Sequence, residues 1–253
     1  MDVRVEGLAL VVTGAASGIG EAVARACAAA GARLLLTDRD EGGLGRVAGA
    51  LGAEAVVADL LEPAAPARIG SEAVARLGRI DGLVNAAGIT TRADFGSATP
   101  EVWDALFAVN ARAPFFLMAE AIRDMRARRQ GGAIVNVLSM NAHCGSPELA
   151  VYAATKGALL TLTKNAAHAH LRDGIRVNGV NLGWTDTPAE RNMQAGVLGK
   201  GDGWLAAAAA GMPLGRLLTA EEAARLCLFL LSDASAPMTG VAVDLEQRVA
   251  GAP

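Results

Sequence analysis

Short apolar runs of β-forming residues alternate with longer alanine-rich stretches along almost the whole chain, and that alternation most restricts its fold. A parallel strand buried on both faces reads as an unbroken apolar run, and the crossovers that join such strands are usually helices. The runs place strands near Leu8–Thr13, Arg33–Asp38, Ala55–Ala58, Gly82–Asn85, Ala133–Leu138, Arg176–Val180 and Val241–Val243. Helices fall between them, near Gly18–Ala30, Gly42–Leu51, Pro63–Leu77, Pro100–Arg128, Leu149–Arg172 and Ala220–Leu231. Thr99 before Pro100 and Glu101, and Thr219 before Glu221 and Glu222, are start signals for two of them. The fold class is α/β, a doubly wound parallel sheet with helices on both faces.

A length of 253 residues suits one large domain, and no linker, repeat or low-complexity tract divides it, so residues 1–253 read as a single unit. The stretch 183–218 is the least regular, broken by glycines at 183, 196, 199, 201, 203 and 211. A long irregular segment in a compact domain is usually a lid or binding loop. Hydrophobic residues at 52% against 19% charged mark a well-buried globular chain, and a formal net charge of −3 offers no basic field for nucleic acid. No apolar run approaches the 18 residues of a membrane span, and the start lacks the basic and apolar regions of a signal peptide. Cys27, Cys144 and Cys227 are odd in number and lack metal-type spacing, so they read as reduced thiols, and no metal is expected. Together these features point to a cytoplasmic protein with no membrane partner.

The first strand runs directly into Thr13-Gly14-Ala15-Ala16-Ser17-Gly18-Ile19-Gly20, which opens a helix. Glycines there permit a tight turn and close backbone approach, and the free N–H groups of a helix start attract a pyrophosphate. The spacing is G-x-x-x-G-x-G and lacks the lysine of a phosphate-loop NTPase. The second strand ends in Asp38, about 20 residues on, where a carboxylate accepts the ribose hydroxyls of NAD and repels the 2′-phosphate of NADP. NAD is the expected cofactor and NADP the lesser reading, because Arg39 is placed to pair with that phosphate.

The single tyrosine, Tyr152, is followed four residues later by Lys156, one of only three lysines, and preceded thirteen residues earlier by Ser139 at the end of an apolar run. Residues at i and i+4 share a helix face. A free phenol titrates near pH 10, about three units above neutral, and one positive charge about 4 Å away offsets roughly that much. The expectation is a phenol made acidic by its neighbouring ammonium, acting as general acid and base. The alternative reading is a half-buried helix tyrosine with a solvated lysine one turn away.

The glycine turn, Asn85-Ala86-Ala87-Gly88 after the fourth strand, Asn110, Ser139, Tyr152 and Lys156 together resemble the short-chain dehydrogenase/reductase family, over about Leu8 to Val243. The resemblance implies a single-domain Rossmann fold with a seven-stranded sheet and a site at the carboxyl ends of the strands. It implies that Tyr152 exchanges a proton with the substrate oxygen and that Lys156 supports it and holds the nicotinamide ribose. Ser139 would hold the substrate oxygen, and Asn110 would stand on a relay behind Lys156. The cofactor set it implies is Gly14, Ser17, Gly18, Ile19, Gly20, Asp38, Asp59, Leu60, Asn85, Ala86, Gly88, Gly183 and Thr185, with Tyr152 and Lys156. Homotetramers are common in the family, and the alanine-rich helices would permit one here. Two places depart from the pattern: Leu182-Gly183 stands where Pro-Gly is usual, and Asp244-Leu245-Glu246-Gln247 where Asp-Gly-Gly is usual.

Met140, Asn141, His143, Cys144, Glu148, Trp184, Glu190, Arg191 and Asn192 flank the expected site and suggest a polar pocket for a small hydroxylated molecule, a polyol or sugar. Asn141, His143 and Trp184 are the candidate substrate contacts, His143 foremost. A second reading is an NADP-dependent 3-oxoacyl-carrier-protein reductase, with Arg123, Arg126, Arg128 and Arg129 docking an acidic carrier. A third, from another class, is a catalytically silent dinucleotide-binding sensor.

Overall fold

In a computed structural model that describes residues 3–143 and 145–249, the chain forms the expected doubly wound sheet. Cys144 therefore lies outside the described residues. Six strands run in chain order: β1 (Ala9–Thr13), β2 (Arg33–Asp38), β3 (Glu54–Val57), β4 (Gly82–Asn85), β5 (Gly132–Val137) and β6 (Ile175–Leu182). A short pair, β7 (Thr185–Asp186) and β8 (Leu218–Thr219), follows, and β9 (Ala242–Leu245) closes the main sheet. The main sheet is parallel throughout, in the order β3-β2-β1-β4-β5-β6-β9. The order reverses between β1 and β4, and sheets of this kind bind ligands in the crevice outside that point.

Alternation along each strand feeds two cores. Leu10 and Val12 of β1, Ala133, Val135 and Val137 of β5, and Val180 of β6 face a core shared with α1 (Gly18–Ala29), α2 (Glu41–Leu51) and α9 (Ala220–Leu231). Their neighbours Ala9, Val11, Ile134, Ile175 and Val177 point the other way, onto α3 (Ala65–Leu77), α5 (Ala113–Ala127) and α6 (Ala150–Ala169). Period-two side chains buried on both sides explain the continuous apolar runs. α4 (Pro100–Phe107) continues into α5 through a π-helical turn, Ala108–Arg112. This helix, Pro100–Ala127, has the length and hydropathy of a membrane span, yet 61% of its most apolar window is buried inside the protein.

Between β6 and α9 the chain leaves the sheet. α7 (Pro188–Arg191), a π turn (Asn192–Val197) and α8 (Trp204–Ala210) lie between β7 and β8, which pair in parallel and pin both ends of the segment. Thr219 starts α9 with a reciprocal cap: its hydroxyl accepts from Glu222 N, and the Glu222 carboxylate accepts from Thr219 N.

Candidate active site

The turn after β1 is bare backbone. Gly14 sits at φ +69, and a β-carbon on it would stand 2.8 Å from Ala87 Cα. One on Gly20 would lie 2.1 Å from the Gly14 carbonyl oxygen. Only glycine lets α1 start this close to β1. Thr13 fixes the turn to the strand beside it, its hydroxyl accepting from Ala86 N and Ala87 N at 3.1 and 3.0 Å. Ser17 caps α1 in an extended conformation without a side-chain hydrogen bond, so the first-turn amides face outward. Asp38 accepts from Ala16 N at 3.1 Å and from Asp40 N at 3.0 Å, tying the end of β2 to the same turn.

These elements border a cavity of about 1030 Å³ at the carboxyl ends of the strands. Gly14, Ser17, Gly18, Ile19, Gly20, Asp38, Asp59 and Leu60 line it, as do Ala86, Gly88, Gly183 and Thr185. Ser139, Asn141, Tyr152, Lys156 and Trp184 line the same cavity. A bare glycine cradle beneath a helix start, with a carboxylate at the neighbouring strand end, fits an elongated dinucleotide. Among the described residues there is no His, Cys, Asp or Glu cluster able to hold a metal ion.

Two expected site residues stand behind the cavity wall. Asn85 is 2% exposed, and its amide donates to Asn136 Oδ1 at 2.8 Å; Asn136 donates in turn to Thr163 Oγ1 at 2.8 Å. Asn110 is wholly buried in the π turn. Its Oδ1 accepts from Ile89 N, and its amide donates to Ile89 O and to Thr155 Oγ1, whose hydroxyl donates to Tyr152 O. The π turn is a common device at functional sites, and here it points a polar side chain into the packing beside α6.

His143 is a correction. It is not among the residues lining the cavity, and its Nε2 lies 3.0 Å from Asp244 Oδ1 and 3.1 Å from Asn181 Nδ2. Asp244, from the unusual tail, also accepts from Asn181 Nδ2 at 2.7 Å, so a polar clamp on β6 and β9 captures the ring. Glu246 fills the space that Gly183 leaves free, since a β-carbon there would lie 2.4 Å from its Oε2. Gln247 joins the segment between β7 and β8, donating to Arg216 O at 2.7 Å and accepting from Leu214 N at 2.9 Å.

The electrostatics correct a second expectation. Tyr152 and Lys156 are 8% and 4% exposed, with the ammonium 5.7 Å from the ring centre. Burial pushes the phenol up to about 12, against an opposing hydrogen bond from Ser139; Glu190 raises it further and Arg92 lowers it. Burial likewise pushes Lys156 down to about 8. Burial outweighs what lowers the phenol in this structure. Lys156 Nζ donates to Val137 O at 2.8 Å, and both groups carry a desolvation cost that a bare Coulomb argument leaves out.

Sequence reasoning missed Arg92 and Gln194, which line the cavity with Glu190. Arg92 lies in the loop after β4, where no periodicity or motif marks it, and Gln194 lies in the π turn after α7. Three of the four arginines considered for carrier docking pair with acids of the same chain. Arg123 pairs with Glu120, Arg126 with Asp173 at 3.2 Å, and Arg128 with Asp124 at 2.8 Å and Asp81 at 3.5 Å.

A family model described as Enoyl-(Acyl carrier protein) reductase matches residues 14–246. Relatives include Inactive 2-(S)-hydroxypropyl-CoM dehydrogenase 2 of Xanthobacter autotrophicus, 39% identical over 222 residues, covering 86% of this chain and 95% of the relative. L-xylulose reductase of Bos taurus is 37% identical over 257 residues, covering 97% and 98%. Among solved structures, L-sorbose reductase from Gluconobacter frateurii, complexed with NADPH and L-sorbose, superposes with a TM-score of 0.92 at 30% identity, covering 100% of both chains. The chain belongs to the short-chain dehydrogenase/reductase family of oxidoreductases.

Proposed function

We propose that the protein transfers hydride between NAD and the carbinol carbon of a small polyol or sugar. The observation that carries this is that Ser139, Tyr152 and Lys156 line the same cavity as the glycine turn and Asp38. A bound nicotinamide ring supplies the hydride acceptor, or in reverse the donor. The Tyr152 hydroxyl exchanges the alcohol proton, Ser139 holds the same oxygen, and Lys156 provides the nearby positive charge. Asn110 keeps Ile89 and Thr155 in place behind them. Asp38 on the cavity wall supports NAD over NADP, although the sorbose reductase is complexed with NADPH and the exposed Arg39 lines the same wall.

The polar residues Asn141, Arg92, Glu190 and Gln194 on the cavity lining support a hydroxylated substrate, as do the xylulose and sorbose reductases. The internal pairing of Arg123, Arg126 and Arg128 weighs against an acyl-carrier dock. The silent reading has an inactive relative in its favour, but Asn110, Ser139, Tyr152 and Lys156 are all present here. Exposed Trp103, Phe115 and Phe116 on α4 and α5 support self-association through that helix. The test is turnover of a polyol panel with NAD, beside Tyr152→Phe. The variant should bind NAD as wild type does and lose about 100-fold or more of its turnover, the scale of a general acid–base. Near-normal turnover in the variant rejects the mechanism.

A further inference from the structure

We propose that Glu190 and Arg92 form a charge-balanced clamp that selects uncharged polyhydroxylated substrates over the matching sugar acids, with Glu190 as the specificity-determining residue. This rests on the reading of the site as a polyol oxidoreductase.

The two side chains reach the cavity from different elements, Arg92 from the loop after β4 and Glu190 from α7. Both are largely sheltered, at 21% and 15% exposure. Their closest approach, Arg92 Nη2 to Glu190 Oε1, is 3.8 Å. That distance gives charge compensation but no direct hydrogen bond, and it leaves room for a hydroxyl to engage both groups.

Each group is held while keeping bonding capacity in reserve. Glu190 Oε1 accepts from Trp184 Nε1 at 2.9 Å and from Gln194 Nε2 at 2.7 Å, which fixes the carboxylate and leaves Oε2 to accept. Arg92 donates through Nη1 to Thr90 O at 3.2 Å, and a guanidinium has five N–H donors. Gln194 is 3% exposed, and its Oε1 has no hydrogen-bond partner. The cluster thus offers acceptors and donors side by side. A hydroxyl both donates and accepts, so adjacent hydroxyls of a polyol match it. Both residues line the cavity with Tyr152, and their charges act on its phenol in opposite senses.

A carboxylate meets a different environment. The positive charge able to hold it is already balanced by Glu190. Glu148 and Lys200 also line the cavity, but both are exposed to solvent and opposite in charge. Removing the charge of Glu190 frees Arg92 for the bidentate pairing that guanidinium makes with carboxylates.

Sorbitol and gluconate probe this directly, because they share a carbon chain and differ at one end in a hydroxymethyl against a carboxylate. Wild type should prefer sorbitol in kcat/KM. Glu190→Gln should shift the sorbitol-to-gluconate ratio about tenfold or more toward gluconate. Arg92→Gln should raise KM for sorbitol and bring no gain for gluconate. Sorbitol should also quench tryptophan fluorescence of the NAD-bound wild type through Trp184, less so in Glu190→Gln. An unchanged ratio in Glu190→Gln, a wild type that prefers gluconate, or an Arg92→Gln with wild-type KM overturns the clamp alone. Should Glu190→Gln fail to bind NAD and so be misfolded, the Arg92→Gln result decides. A wild type that binds NAD yet turns over no polyol and no ketose overturns the polyol reading itself, and the clamp with it.

Discussion

Replacing Lys156 with methionine should make the cofactor-free protein less sensitive to pH while abolishing its chemistry. Burial lowers the lysine from 10.5 to about 8 in the folded chain. Between those two values the unfolded chain holds more protons than the folded one, so stability rises with pH across that window. The full difference corresponds to about 3 kcal/mol, of which about 1 kcal/mol is recovered between pH 7 and pH 9. Cys27 and Cys227, both pushed up to about 12 by burial, act in the opposite direction. Their thiols stay neutral in the fold and ionise when unfolded, so they cost stability only as pH rises through about 9 and beyond, in wild type and variant alike. The Nζ bond to Val137 O is lost in Lys156→Met, which shifts the absolute stability without creating a slope. Urea unfolding of both proteins at pH 7, 8 and 9, with matched m-values, isolates the lysine. The wild type should gain about 1 kcal/mol relative to the variant from pH 7 to 9. Parallel stability curves would refute the claim that burial holds this ammonium at a cost.

Three further outcomes follow from geometry. Gly20→Val should retain the helical signal in circular dichroism and lose dinucleotide binding in calorimetry, because its side chain meets the Gly14 carbonyl. Asp38→Ala should move the ratio of NADP to NAD efficiency toward NADP, and an unchanged ratio removes Asp38 from cofactor choice. His143→Ala should leave substrate KM unchanged and lower thermal stability modestly, since its partners are Asp244 and Asn181 and not the cavity.

The sheet was legible because its strands are buried on both faces, and burial of that kind writes itself as apolar runs. β2 and β4 fall on their expected residues, and the other sheet strands lie within a residue or two of theirs. The glycine turn was legible for a steric reason: Gly14 and Gly20 stand where a side chain has no room. The π turn at Asn110 was not, since one extra residue in a helix leaves hydrophobic spacing almost unchanged. His143 misled because proximity to Ser139 in sequence says nothing about a partner a hundred residues away, and Asp244 is that partner. The sign of the Tyr152 shift was misjudged because a pair of residues carries no record of how deeply the fold buries them.

Gln247 ties the edge of the sheet to a distant part of the chain. One side-chain amide from beyond the last strand grips the segment between β7 and β8 at both Leu214 and Arg216. That segment also carries Glu190 and Gln194 to the cavity, so a change at this edge has a route to them that bypasses the helix bearing the phenol. Glu246, from the same tail, lies against Gly183, so the edge borders the cavity at two places.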